Sequence, residues 1–105
     1  MLYSIHCLDG GDRSAMRAQH FQAHQDYLKA ATVRLVVAGP LLADDGETAV
    51  GSMFVIEAPD RATAEAFNHG DPFNKAGVWG TISITVFKKR WDDRLGPGSH
   101  DGAQS

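Results

Sequence analysis

Residues 33–57, VRLVVAGPLLADDGETAVGSMFVIE, decide the fold. Val33 to Ala38 is rich in β-branched side chains and reads as a strand ending at Gly39-Pro40, where proline withdraws a backbone donor. Leu41-Leu42 leads into Asp44-Asp45-Gly46, and Asp-Gly between apolar runs is a strong hairpin signal. Ser52 to Glu57 is the returning strand. An antiparallel hairpin therefore stands in the middle of the chain, and the segments on either side of it set the architecture.

Upstream, Leu2 to Leu8 reads as a first strand stopped by Asp9-Gly10-Gly11. From Asp12 or Ser14, both suited to an N-cap, no Gly or Pro interrupts the chain until about Ala31. At helical periodicity Arg13, Arg17, His20, Phe21, His24, Tyr27, Leu28 and Ala31 share one face, and Gln19, Gln22, Asp26 and Lys29 share the other. This predicts an amphipathic helix with two histidines on its buried side. Downstream, Asp60 is the expected N-cap of a short helix holding Ala62, Ala64, Ala66 and Phe67 and closed by His69-Gly70. Asp71 to Gly77 is expected as a structured turn, because Pro72 stops a helix from continuing. Thr81 to Phe87 alternates, with Ile82, Ile84 and Val86 on one side and Thr81, Ser83 and Thr85 on the other. Trp91 is the expected last apolar anchor. Residues 1–91 thus form a single domain, and 92–105 are a polar C-terminal tail with no core role.

The order βαββαβ predicts an α+β fold of ferredoxin-like type, a four-stranded antiparallel sheet with two helices on one face. The opposite sheet face carries apolar side chains and needs cover. A second copy of the chain supplies it most simply, so a homodimer is expected.

Composition narrows the function. The 105 residues are 43% hydrophobic and 22% charged, typical of a globular domain. The formal charge is −3, and the ten Lys and Arg residues are scattered, so no electrostatic footprint for nucleic acid is present. No apolar run approaches the roughly 20 residues that span a bilayer, and no membrane association is expected. The first residues lack a basic region and a small-residue cleavage site, so a secretory signal is not expected. A single cysteine, Cys7, fits a reducing cytoplasm and reads as a small buried hydrophobe rather than a nucleophile.

Two features carry candidate chemistry. His20 and His24 are spaced to share a metal, but Phe21 stands where a metalloprotease helix has glutamate, and no Cys pair or acidic cluster completes a ligand set. No metal is expected, although a metal-dependent enzyme using both histidines is one rival reading. His24 lies at the centre of the apolar stripe, where a buried imidazole must hydrogen-bond. Asp71, in an otherwise apolar turn, has two roles open to it: capping that turn through its own side chain, or orienting His24. No G-x-S-x-G, phosphate loop or dinucleotide fingerprint is present, so no cofactor is expected. Phe54, Phe73, Trp79 and Phe87 are candidates to line a small-molecule pocket.

The strand Cys7-Leu8-Asp9, the helical His24-Gln25-Asp26-Tyr27-Leu28, the segment Ala38-Gly39-Pro40-Leu41, and Gly70-Asp71-Pro72-Phe73 followed by Ala76-Gly77-Val78 together resemble the YciI-like (YCII-related) proteins. The match is in order and covers about residues 1–90. The resemblance implies a ferredoxin-like protomer in a dimeric α/β barrel-type assembly. It also implies an active site built on a helical histidine and the aspartate of an Asp-Pro-aromatic turn, here His24 and Asp71. Around them Arg17, His20, Gly39, Pro40, Ser52 and Phe73 are the candidate substrate-binding residues. Phe73 replaces a common tyrosine, and Phe21 replaces an arginine sometimes found there, for which Arg17 one turn earlier is the candidate substitute. The implied function is a cofactor-independent enzyme of lyase, isomerase or dehalogenase type. It would transfer protons on a small cyclic or aromatic-derived metabolite, with His24 as general acid or base. The alternative is a non-catalytic small-ligand-binding or stress-associated protein of the same family.

Overall fold

The computed structural model describes residues 1–95, and the central hairpin closes in it where the Asp-Gly signal lies. Ala43 N–H donates to the Thr48 carbonyl, and Gly46 takes φ 72°, a left-handed conformation that glycine adopts freely. Asp45 Oδ1 accepts from the Glu47 and Thr48 N–H groups and clamps the turn. The hairpin strands are β2, Arg34–Leu42, and β3, Ala49–Glu57. β2 therefore runs through Gly39-Pro40 instead of stopping there. It is an edge strand in the order β2-β3-β1-β4, and an edge leaves every second N–H unpaired, so Pro40 opposite Ser52 is tolerated.

β1, Leu2–Asp9, pairs antiparallel with β3 on one side and with β4, Trp79–Phe87, on the other. The helices are α1, Ser14–Lys29, and α2, Arg61–Gly70, followed by a single turn, α3, Pro72–Lys75. Where a turn is expected after Gly70, the chain re-enters a helix instead, with Pro72 in the first turn, the one place its missing N–H costs nothing. The architecture is α+β and ferredoxin-like, with the helices on one sheet face. Among the described residues no helix is long and apolar enough to cross a membrane.

The core lies between sheet and helices. Tyr3, Ile5 and Cys7 face Ile56 and Phe54 across β3, and Ala64, Phe67, Phe73, Val78 and Trp79 close over them. Asp60 caps α2 as expected, its carboxylate accepting from Thr63 N–H at 2.8 Å. The start of α1 differs. Its cap position is Arg13 with no side-chain bond, while Asp12 accepts from Ser14 N–H just ahead of the helix. The stripe on α1 also differs: His24 alone is buried, its neighbours are half-buried, and Phe21 is 53% exposed. The cause is a cavity between α1 and the β2–β3 hairpin, which keeps this face from closing on the sheet.

The register puts Ile82, Ile84 and Val86 opposite Cys7, Ile5 and Tyr3, on the helix-covered face. Only Ile84 reaches the core, because β4 is an edge strand beyond the helices' cover. Leu8, Val37, Met53 and Phe87 lie exposed on the other face. Trp91 is not a core anchor but largely exposed, and with Lys89, Asp92, Asp93 and Arg94 it borders a groove over that face beside Leu2, Val37 and Val55. Asp92 gathers the Lys89 ammonium and the Arg94 guanidinium, which gives local order to the first residues of the expected tail. Residues 96–105 of that tail lie outside the described residues.

Candidate active site

Asp71 is placed by local backbone chemistry. Pro72 fixes the first turn of α3, and Asp71, as its N-cap, accepts the Phe73 N–H on Oδ1 at 2.8 Å. The carboxylate is thereby aimed at α1, where His24 Nδ1 meets Oδ1 at 2.8 Å and Oδ2 at 2.9 Å. Both readings of Asp71 hold together, since one carboxylate caps the turn and holds the ring. The pair is almost fully shut from water, Asp71 being 1% and His24 6% exposed. A carboxylate accepts hydrogen bonds, so Nδ1 is the donor of the pair and Nε2 is the ring nitrogen left for another partner.

Aromatic rings fix the imidazole plane. Phe73 stacks on it with centroids 4.0 Å apart and planes 9° from parallel, while Phe54 and Trp79 present near-perpendicular contacts. The ring opens on a cavity of about 160 Å³. Arg17, Phe21, Gln25 and Leu28 of α1 line it with Ala38, Gly39 and Pro40 of β2, Ser52 and Phe54 of β3, and Phe73 of α3.

A second polar group adjoins the first. Arg17 Nε and Nη2 grip Asp9 at 2.6 and 2.7 Å, and Nη2 also donates to Ser52 Oγ at 3.2 Å. The guanidinium lies 5.1 Å from the Phe73 ring centroid, within cation–π range. Trp79 Nε1 donates to the same Ser52 oxygen. Arg17 is thus tied to Asp9 through Nε and Nη2, and among the described residues no partner takes Nη1.

Of the expected site residues, the structure brings His24, Asp71, Arg17, Gly39, Pro40, Ser52 and Phe73 together. His20 is half-buried and does not line the cavity. Phe87 belongs to the opposite sheet face, because it pairs with Leu2 rather than with an inward residue. Among the described residues no group of three or more metal-ligating side chains is gathered. Sequence reasoning missed Asp9, read only as the end of a strand. Nothing local marked it, since Arg17 reaches it across the β1–α1 connection. Cys7 lies beneath the site with its thiol pushed up to about 12, mainly by burial and against a lowering hydrogen bond from Asn68. It is therefore protonated at neutral pH and inert as a nucleophile.

The comparisons with known proteins follow the same frame. The model of the YCII-related domain matches residues 1–88. Over 96 residues the chain is 32% identical to Protein YciI of Escherichia coli O6:H1, covering 85% of this chain and 98% of that protein, and it matches Protein YciI of Shigella flexneri equally. Among solved structures it is similar to the 5-chloro-2-hydroxyhydroquinone dehydrochlorinase of Burkholderia phenoliruptrix in complex with 2,5-dihydroxybenzoquinone. That likeness has a TM-score of 0.77 and 28% identity and covers 84% of this chain and 94% of the other. With the domain matched along nearly all its described length and a curated relative near one-third identical, the chain belongs to the YCII-related family.

Proposed function

We propose that this protein is a cofactor-independent enzyme that moves a proton on a small cyclic or aromatic-derived metabolite, by lyase, isomerase or dehalogenase-like chemistry. The observation that carries the reading is the buried Asp71 carboxylate on His24 Nδ1, with the ring at the wall of a cavity. Asp71 holds the ring and selects its tautomer, and Nε2 takes a proton from the ligand and later returns it. The cavity's volume of about 160 Å³ is close to the roughly 150 Å³ that encloses a benzene ring, which suits a single ring with few substituents. A relative solved with a dihydroxybenzoquinone supports the same ligand class. Loss of a proton together with chloride is redox-neutral, so the step needs no oxidant or reductant. The same reading includes a homodimer through the sheet face without helices.

Chloride release from chlorinated hydroquinones, 5-chloro-2-hydroxyhydroquinone first, tests the proposal, together with exchange of ring protons in deuterated water. His24→Gln should lower the rate by about 10²–10⁴-fold, the usual contribution of a positioned proton-transfer group. Asp71→Asn should keep the fold, since Asn also caps helices, and lower the rate in the same direction. A wild-type protein that binds these rings yet neither releases chloride nor exchanges protons would be a binding protein, and the enzyme reading would fall.

A further inference from the structure

Ser52 is 3% exposed at the cavity wall, and its oxygen accepts two hydrogen bonds at 3.2 Å, from Arg17 Nη2 and from Trp79 Nε1. A guanidinium and an indole can only donate, and a hydroxyl has two lone pairs and one hydrogen. Both lone pairs are therefore spent, and the hydrogen must be given elsewhere. Among the described residues no acceptor takes it. Neither carboxylate of the site receives it: the side-chain bonds to Asp9 come from Arg17, and those to Asp71 from His24 and the Phe73 N–H. The remaining direction for the Ser52 hydrogen is the cavity.

We infer that Ser52 donates its hydroxyl hydrogen to an oxygen of the substrate, and that the substrate is a single ring bearing, as such or in the keto tautomer of a hydroquinone, a carbonyl conjugated to the group that His24 deprotonates. The inference rests on the proposed function and specifies its substrate class. Among the side chains that line this wall, the polar ones are His24, the Gln25 amide, the Ser52 hydroxyl and the Arg17 guanidinium, and the last can only donate. An acceptor-rich ring that surrenders one proton matches that set. In the step, a C–H or O–H bond breaks, its proton goes to Nε2, and its electron pair passes through the conjugated system to the carbonyl oxygen. Ser52 meets the resulting oxyanion, and a hydrogen bond to a charged oxygen is stronger than one to the carbonyl, so the interaction favours the charged state. When the oxyanion collapses, the carbonyl re-forms and the pair expels chloride from the saturated ring carbon adjoining the enolate, or takes the proton back at another carbon.

Calorimetric binding of 2,5-dihydroxybenzoquinone and of chlorobenzene, a ring of similar size without oxygen acceptors, tests this in the whole chain. Ser52→Ala should weaken the quinone by roughly tenfold to a hundredfold, the range for a hydrogen bond to a charged group, and leave chlorobenzene unchanged. Ser52→Thr retains the hydroxyl and should restore quinone binding. Ser52→Cys, a weak donor of similar size, should behave like Ser52→Ala and replaces it should the alanine variant not fold. Equal loss of both probes in the donor-deficient variants, or quinone binding unchanged in them, overturns the Ser52 assignment. If the wild type shows His24-dependent turnover while Ser52 is dispensable, only this assignment falls. If the wild type binds neither probe, the reading of the cavity as a ring site falls and this inference with it.

Discussion

A histidine at the centre of an apolar helical stripe cannot stay unpartnered, because an unsatisfied buried polar group costs of order 1–3 kcal/mol. His24 meets that requirement through Asp71, and Asp71 is held from its own side as well, at the start of the turn that Pro72 opens and by the Phe73 N–H. The carboxylate thus has a local anchor in its own turn besides its bond to the imidazole. Beneath this pair, Cys7 shows the opposite use of burial. Its thiol rises from an ordinary value of 9.0 to about 12, chiefly because a thiolate there would lose its solvent. The unfolded chain ionises first, so the contribution is fully present below about pH 9 and is lost as the pH rises toward 12. Denaturant midpoints should therefore fall between pH 8 and 10.5 by more in the wild type than in Cys7→Ala. Thiol labelling at pH 8 should proceed only with unfolding. Rapid labelling of the native protein would contradict this account.

At the scale of elements, the join between α2 and α3 aims the site. α2 ends at Gly70, the extended Asp71 breaks the helix, and Pro72 starts the next turn. Tyr27 of α1 locks this join by donating its hydroxyl to the Phe67 carbonyl at 2.8 Å, satisfying one of the carbonyls that a helix end leaves free. The hydroxyl lies so close to Gly70 that a β-carbon there would collide with it. Gly70→Ala should then cost about 1–3 kcal/mol, as overpacking does, and Tyr27→Phe about 1 kcal/mol. The double variant should cost less than the two together, because removing the hydroxyl removes much of the clash. Urea unfolding of the four proteins measures the coupling, and strict additivity would show that the two residues do not share a contact.

For the whole molecule, the sheet has one face under helices and one without. Leu8, Val37, Met53 and Phe87 lie 36–44% exposed on the second face, beside the groove bordered by Trp91. Extended apolar surface of this kind is rare on monomers, and the proposed homodimer would cover it. Light scattering at micromolar concentration should give twice 11.3 kDa. Met53→Lys should shift the mass toward the monomer, since a lysine there would be buried unpaired against a partner. It should leave the protomer's helical content intact, because Met53 faces away from the helix-covered core. A wild-type mass of 11.3 kDa would remove the homodimer.

The βαββαβ order, the Asp-Gly hairpin, the cap at Asp60 and the prominence of His24 were all legible in the linear chain. They rest on local signals: periodicity, turn chemistry and the demand that a polar residue in an apolar stripe find a partner. Strand ends were less legible. Gly39-Pro40 reads locally as a stop, and only the position of β2 at the sheet edge makes it compatible with a continuing strand. The same holds for α1, whose stripe predicts burial of Phe21, while the cavity beneath the helix leaves that ring exposed. Asp9 joined Arg17, and Trp79 joined Ser52, through contacts between segments remote in sequence or separated by a turn, which no periodicity encodes. Periodicity reports which face of an element is apolar; whether that face meets another side chain, a cavity or solvent depends on how the elements stack, and that was decided only in the folded chain.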